Sequence, residues 1–267
     1  MKISVIIPTY KPKDYLWDCL SSLVKQTFPK EDFEVVLVLN GCSEPWLANI
    51  TNYISCNMHG MNINFIHTLQ GGVSNARNIA IDAVKGEYIT FIDDDDFVSP
   101  TFLEELYSKA RPDTISLCYA YEFNDGNLSI QLKSRITSEF ETRYPYGRQH
   151  YTSTRKIFSG PCMKLIHRGI ISKHRYDVRF KNGEDSLYMF LISKHVKYVE
   201  YTSSNAIYYR RFRENSAVTT SRSRRSIISN GLNLIKCYSR IYWSEPFKYS
   251  FIFYTTRILG TIRAMLG

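Results

Sequence analysis

Residues 88–100, YITFIDDDDFVSP, set a short apolar run, Tyr88 to Ile92, directly against four consecutive carboxylates, Asp93 to Asp96. The run is rich in aromatic and β-branched residues, the composition of a buried strand, and the acids stand at its carboxyl end. Like charges packed so closely repel, so the group calls for a partner. A divalent cation with oxygen ligands is the economical one, and a hard metal with open positions completes its shell with phosphate oxygens from a substrate. On charge alone an acidic loop facing water, or acids at the start of a helix near Pro100, explains the run as well.

Working outward, Lys2 to Ile7 reads as a buried strand that stops at Pro8-Thr9-Tyr10. Asp14 to Gln26 carries apolar residues at helical spacing, Phe33 to Leu39 forms a second buried strand, and a helix follows Pro45. Asn62 to Ile66 gives a third strand, and Gly71-Gly72 precedes a helix over 73–84. Strand and helix alternating at short intervals, with apolar strands, predict a mainly parallel sheet covered on both faces. In such sheets the ligand sits beyond the carboxyl ends of the strands. Thr9, Asn40, the Gly71-Gly72 turn and Asp93 to Asp96 are therefore expected to converge on one crevice.

The turn GGVSNARN, Gly71 to Asn78, offers free backbone N–H groups and the fixed charge of Arg77 to a phosphate, although an ordinary loop with Arg77 on a wet face fits as well. Residues 119–158 are irregular and rich in Tyr, Arg and Ser, and are expected to form strands and loops over the crevice. Ser159 to Arg168 leads into a helix. Glu184 and Asp185 fall at the start of a buried helix, where they serve as a cap and dipole complement or as a functional carboxylate facing the crevice.

With 267 residues, 44% of them apolar, the chain can hold one large α/β domain with appendages. Lys2 to Ile7 already looks like core, so no signal segment is expected before it and the protein is expected to start there, in the cytoplasm. Six cysteines (Cys19, Cys42, Cys56, Cys118, Cys162, Cys237) show no CxxC or zinc spacing and are expected as buried free thiols. The net charge of +9 falls wholly within residues 207–267, which hold eleven Lys/Arg against two acids. A neutral body with a basic tail points at an anionic surface. The tail predicts a strand-like run, Ala206 to Arg210, a basic loop from Arg211 to Arg225, and helices over 226–243 and 249–266. Arg257 and Arg263 argue against a transmembrane span, at about 3 kcal/mol each in the membrane centre. Two basic amphipathic helices on a membrane surface, peripheral on its inner face, fit better, with packing onto the body or onto a second copy as a homodimer as the alternative. Patterns for nucleic-acid binding are absent.

Seven pieces in order resemble an inverting family 2 glycosyltransferase of the GT-A fold, of the bacterial surface-polysaccharide type: VIIPTY (Val5 to Tyr10), LNGCS (Leu39 to Ser43), GGVSNARN, FIDDDD (Phe91 to Asp96), KLIHR (Lys164 to Arg168), GED (Gly183 to Asp185) and YYRRFRENS (Tyr208 to Ser216). The resemblance, which runs from Ile3 to about Ser216, implies a Rossmann-like nucleotide-binding half over 1–118 and an acceptor-binding half over 119–216, and the basic amphipathic helical tail over 217–267 lies beyond it. The resemblance implies that Asp93 and Asp94 meet the nucleotide and that Asp95 holds Mn²⁺ or Mg²⁺. Pro8, Thr9 and Tyr10 would line the nucleoside pocket, Arg77 would approach the base or diphosphate, and Asp185 would be the catalytic base. The family often has Asp-Asp-Gly-Ser where this chain has Asn40-Gly41-Cys42-Ser43, and the amide oxygen of Asn40 can still accept the uracil N3–H. A UDP-sugar donor and a glycan or lipid-linked acceptor are thus implied. Two other functions share these features: a metal-dependent phosphohydrolase with Asp93 as nucleophile and Asp95 as acid, and a non-catalytic carbohydrate-binding protein of the same fold.

Overall fold

The computed structural model describes residues 1–132, 134–213 and 223–266. Its first half alternates as the apolar pattern requires: β1 (Ile3–Thr9), α1 (Tyr15–Val24), β2 (Phe33–Asn40), α2 (Trp46–Asn57), β3 (Asn62–Thr68), α3 (Val73–Ala83) and β4 (Tyr88–Phe91). Every residue of β1, β2 and β4 is buried, which explains their mainly apolar character, and the buried Glu34 of β2 is satisfied by the Ser4 hydroxyl at 2.6 Å. β1 runs parallel to β2 and β4, and β2 parallel to β3, so these strands end on one edge.

The second half comprises β5 (Phe97–Val98), α4 (Phe102–Ser108), β6 (Thr114–Leu117), β7 (Tyr119–Asn124), β8 (Asn127–Leu132), α5 (Arg135–Arg143), β9 (Gln149–His150), β10 (Lys164–His167), α6 (Arg168–Ile171), α7 (Glu184–Ile192), β11 (Tyr198–Tyr201) and β12 (Ile207–Phe212). The eight-stranded main sheet has the order β3-β2-β1-β4-β10-β6-β11-β9, and a smaller sheet the order β5-β12-β7-β8. The main sheet is mixed beyond β4, because β10 inserts antiparallel between β4 and β6. Lys164 to His167, expected only as the approach to a helix, is therefore a strand of the central sheet, and the short α6 follows it. The two halves share this sheet.

The chain continues as α8 (Arg224–Ser244) and α9 (Phe251–Leu266). Their inner faces pack on the body. Tyr238 and Phe253 ring Phe190 of α7 at 5.4 Å each, the Tyr249 hydroxyl donates to the Leu191 carbonyl at 3.0 Å, and Tyr242 stacks on Tyr254 at 4.4 Å. Arg257 turns inward and donates to the Phe158 carbonyl. Packing on the body, the alternative to a membrane role, thus accounts for the inner faces, while Trp243, Phe247, Ile252 and Leu259 stay exposed on the outside. No helix among the described residues is long and apolar enough to cross a membrane. The cysteines are free, but only Cys19, Cys42 and Cys118 are buried; Cys56 is exposed.

Candidate active site

A cleft of about 1020 Å³ opens at the carboxyl edge of β1, β2 and β4. Pro8, Thr9, Tyr10, Asn40, Arg77, Asp93, Asp94, Asp95 and Asp185 all line it, so residues spread over much of the chain meet in one place. The wall beside the β2 end depends on glycine. Gly41 has φ +67°, and a Cβ there would lie 2.8 Å from the Gly71 Cα, so the turns after β2 and β3 touch backbone to backbone. Asn40 is buried between them: its Nδ2 donates to the Thr9 carbonyl at 2.7 Å and its Oδ1 accepts the Gly72 N–H at 2.9 Å. Its amide thus locks two strand ends and the turn together, leaving one lone pair of Oδ1 for any ligand.

The four acids separate by environment. Asp96 is buried and satisfied from within: the Tyr208 hydroxyl of β12 donates to its Oδ2 at 2.7 Å and the Arg211 N–H to its Oδ1 at 2.7 Å. Burial raises its pKa well above the carboxylate range, with Asp95 and Asp93 adding to the effect. Asp94 accepts from the Thr9 hydroxyl at 2.5 Å, and burial, despite that bond, pushes its pKa up to about 7. Asp95 is also raised, by burial first and by Asp93 second, while Arg213 opposes both from 2.6 Å. Asp93 remains the most open of the acids.

Arg77 connects the two walls. From α3 its Nη2 donates to Asp93 Oδ1 at 2.9 Å and its Nη1 to Asp185 Oδ1 at 2.7 Å. Burial works against the Arg77 charge, but Asp185, Tyr176 and Asp93 outweigh it and hold the pKa well above the ordinary value. Asp185 sits in the first turn of α7 with 31% of its side chain accessible to the cleft, which a residue serving only as a cap need not have. Burial raises its pKa, with Arg77 opposing and Asp93 reinforcing. A carboxylate so placed can take a proton from a hydroxyl bound in the cleft.

Three arginines escaped assignment from the sequence. Arg210, Arg211 and Arg213 follow one another around the end of β12 and all line the cleft. Arg211 Nε donates to the Asp95 carbonyl at 2.9 Å, and Arg213 lies over the Tyr15 ring at 4.4 Å while holding Asp95. The run YYRRFR was the available signal; a strand end delivering arginines opposite an acidic strand end is a charge match. Glu214 to Ser216 of the same piece, and Arg222, lie outside the described residues.

The donor set suits a hard divalent cation. The Arg213 guanidinium stands at Asp95 Oδ2 and already opposes the charge of Asp93 there, so a divalent cation on that oxygen would take the guanidinium's place. No group of three or more His, Cys, Asp or Glu that could hold a metal occurs among the described residues.

A mixed α/β sheet with acids and glycine turns gathered at the strand ends defines an α/β protein whose cleft lies where such sheets take their ligands, with Asp185 of α7 also lining it. Residues 4–175 match Glycosyl transferase family 2, and the chain belongs to that family. It is 26% identical over 221 residues to the poly(ribitol-phosphate) β-N-acetylglucosaminyltransferase TarS of Staphylococcus aureus strain Mu50, covering 80% of this chain but 36% of TarS. It is 28% identical over 224 residues to the glycosyltransferase GlyG of Streptococcus pneumoniae serotype 4, covering 78% of this chain and 70% of GlyG. In three dimensions it resembles S. aureus TarS 1-349 in complex with UDP-GlcNAc, with a TM-score of 0.72 and 22% identity over 89% of this chain and 66% of the other. The mannosyltransferase PcManGT of Pyrobaculum calidifontis, in complex with GDP-Man and Mn²⁺, gives a TM-score of 0.65 and 14% identity over 99% of this chain and 69% of that one. Both structures share the GT-A fold seen here.

Proposed function

We propose that the chain is a metal-dependent inverting glycosyltransferase that moves a sugar from a nucleotide-sugar, with UDP as the nucleotide, to a hydroxyl of a glycan or lipid-linked acceptor in surface polysaccharide synthesis. The observation that carries this reading is the Arg77 bridge, which holds Asp93 of the acidic strand end and Asp185 of α7 to one guanidinium in the same open cleft. UDP is favoured by the likeness to a structure that holds UDP-GlcNAc.

Pro8, Thr9 and Tyr10 would line the nucleoside end, with Asp93 and Asp94 toward the nucleotide and Asp95 holding Mn²⁺ or Mg²⁺. The cation would supply Lewis-acid neutralisation of the departing diphosphate. Asp185 takes the proton of the acceptor hydroxyl as that oxygen attacks the anomeric carbon from the face opposite the leaving group. The bond from that carbon to the phosphate oxygen breaks, its electron pair leaves with the diphosphate, and the configuration inverts. The raised pKa of Asp185 makes it a stronger base than an ordinary aspartate. The exposed Trp243 and Arg240 of α8, with Phe247 and Lys248 in the turn before α9, would hold the protein at the inner surface of an anionic membrane.

Asp185→Asn tests the assignment. Loss of general-base catalysis is expected to lower transfer by about 10²-fold or more while nucleotide affinity is kept. A variant that transfers sugar at the wild-type rate overturns it.

A further inference from the structure

A groove of about 610 Å³ leads away from the cleft between the start of α7 and the helices α8 and α9. Lys181, Asn182, Gly183 and Ser186 line both depressions, so the groove continues from the catalytic carboxylate's own helix. Its walls are of two kinds. Ile227 and Leu234 of α8 and Ala264 and Met265 of α9 are apolar, whereas Lys181 and Arg257 bring positive charge, and none of its described lining residues is acidic.

Arg257 is the informative residue. Its Nη2 donates to the Phe158 carbonyl, but its Nε is sealed from solvent without any acceptor among the described residues. Burial lowers its pKa, with only Tyr238 acting in the other direction, and no carboxylate among the described residues forms an ion pair with it. A sheltered guanidinium without a counter-ion is costly and stands ready for an anion. Lys181, exposed at the junction with the cleft, likewise has no ion-pair partner among the described residues. Small residues keep the trench open beside these charges. A Cβ on Gly260 would meet no atom within 4 Å, and Ala264 follows one turn later on the same face.

Resting on the transferase reading of the cleft, we propose that this groove seats the acceptor and that the acceptor is an amphiphilic phosphate ester. Its phosphate lies at Arg257 and Lys181, and its alkyl chain lies along Ile227, Leu234, Ala264 and Met265, with the hydroxyl to be glycosylated reaching back toward Asp185. A wholly polar polyol phosphate would leave the apolar wall without a partner, and a plain alcohol would leave Arg257 without one.

Titration calorimetry with decyl phosphate below its micellar concentration tests this on the whole chain. Saturable binding is expected, weakened about tenfold or more in Gly260→Phe and in Ala264→Phe because the ring displaces the alkyl chain from the groove. Both variants should bind UDP with Mn²⁺ as the wild type does, which also shows that they are folded. Decyl phosphate that fails to bind, or that binds both variants unchanged, overturns the groove assignment. Glycerol phosphate binding as tightly overturns the apolar half of the proposal, and decanol binding as tightly overturns the phosphate half. Failure of UDP and Mn²⁺ to bind the wild type is a separate result that overturns the reading of the cleft, whatever decyl phosphate does.

Discussion

Lys164 lies fully buried in β10, with the Cys162 carbonyl at 3.1 Å as its hydrogen-bond acceptor. Burial lowers its pKa from 10.5 to about 8. Between those two pH values the unfolded chain holds a proton on this lysine that the folded chain has lost, so the contribution of Lys164 to stability rises with pH from about 8 to about 10.5. Lys164→Met removes that slope and is expected to stabilise the protein at pH 7 by about 3 kcal/mol, read from urea unfolding at pH 7 and pH 10. A difference in stability between wild type and variant that is the same at pH 7 and pH 10 contradicts the assignment. The acids show the limit of reading at this scale. Four consecutive aspartates announced a site, but nothing in DDDD distinguishes Asp96, buried and hydrogen-bonded by the Tyr208 hydroxyl, from Asp95, which faces an arginine in the cleft. Partners more than a hundred residues away make that division, and no local pattern carries them.

At the level of elements, legibility followed length and burial. β1 and β2, seven and eight residues buried throughout, were plain in the sequence, as were the helices between them and the two tail helices. β6, β10 and β11 have four residues each, and β10 opens on a lysine. Their identity comes from long-range pairing, β10 slotting antiparallel between β4 and β6, which periodicity does not encode. The β12 strand was read, but not its task of bracing the acidic loop. Its Tyr208 hydroxyl donates to Asp96 and accepts the Asp93 N–H at 3.1 Å. Tyr208→Phe strands both buried groups, with an expected loss of about 1–3 kcal/mol in thermal or urea unfolding. Unchanged stability would show that β12 does not brace the loop.

Across the whole molecule, the concentration of charge in residues 207–267 was legible from composition, but its direction was not. Arg210 pairs with Glu122, Arg211 with Asp18 and Asp125, and Arg213 with Asp95, so part of the basic tail turns back on the acidic site. Arg224, Arg225, Lys236, Arg240, Lys248 and Arg263 remain exposed, as do Phe247 and Leu259. Binding to vesicles containing anionic lipid is expected, weakening as salt rises from about 50 mM to about 500 mM, since exposed charges are screened over that range. Equal binding to neutral and anionic vesicles would exclude the electrostatic part.

The central claim is that Asp95 grips a cation and diphosphate on one wall while Asp185 serves the sugar from the other. Thermal unfolding with UDP and Mn²⁺ together tests it most directly, because a ligand that binds the folded state raises the melting temperature. The wild type and Asp185→Asn should rise alike, and Asp95→Asn should lose most of the shift. An undiminished shift in Asp95→Asn, or one lost only in Asp185→Asn, would contradict the account.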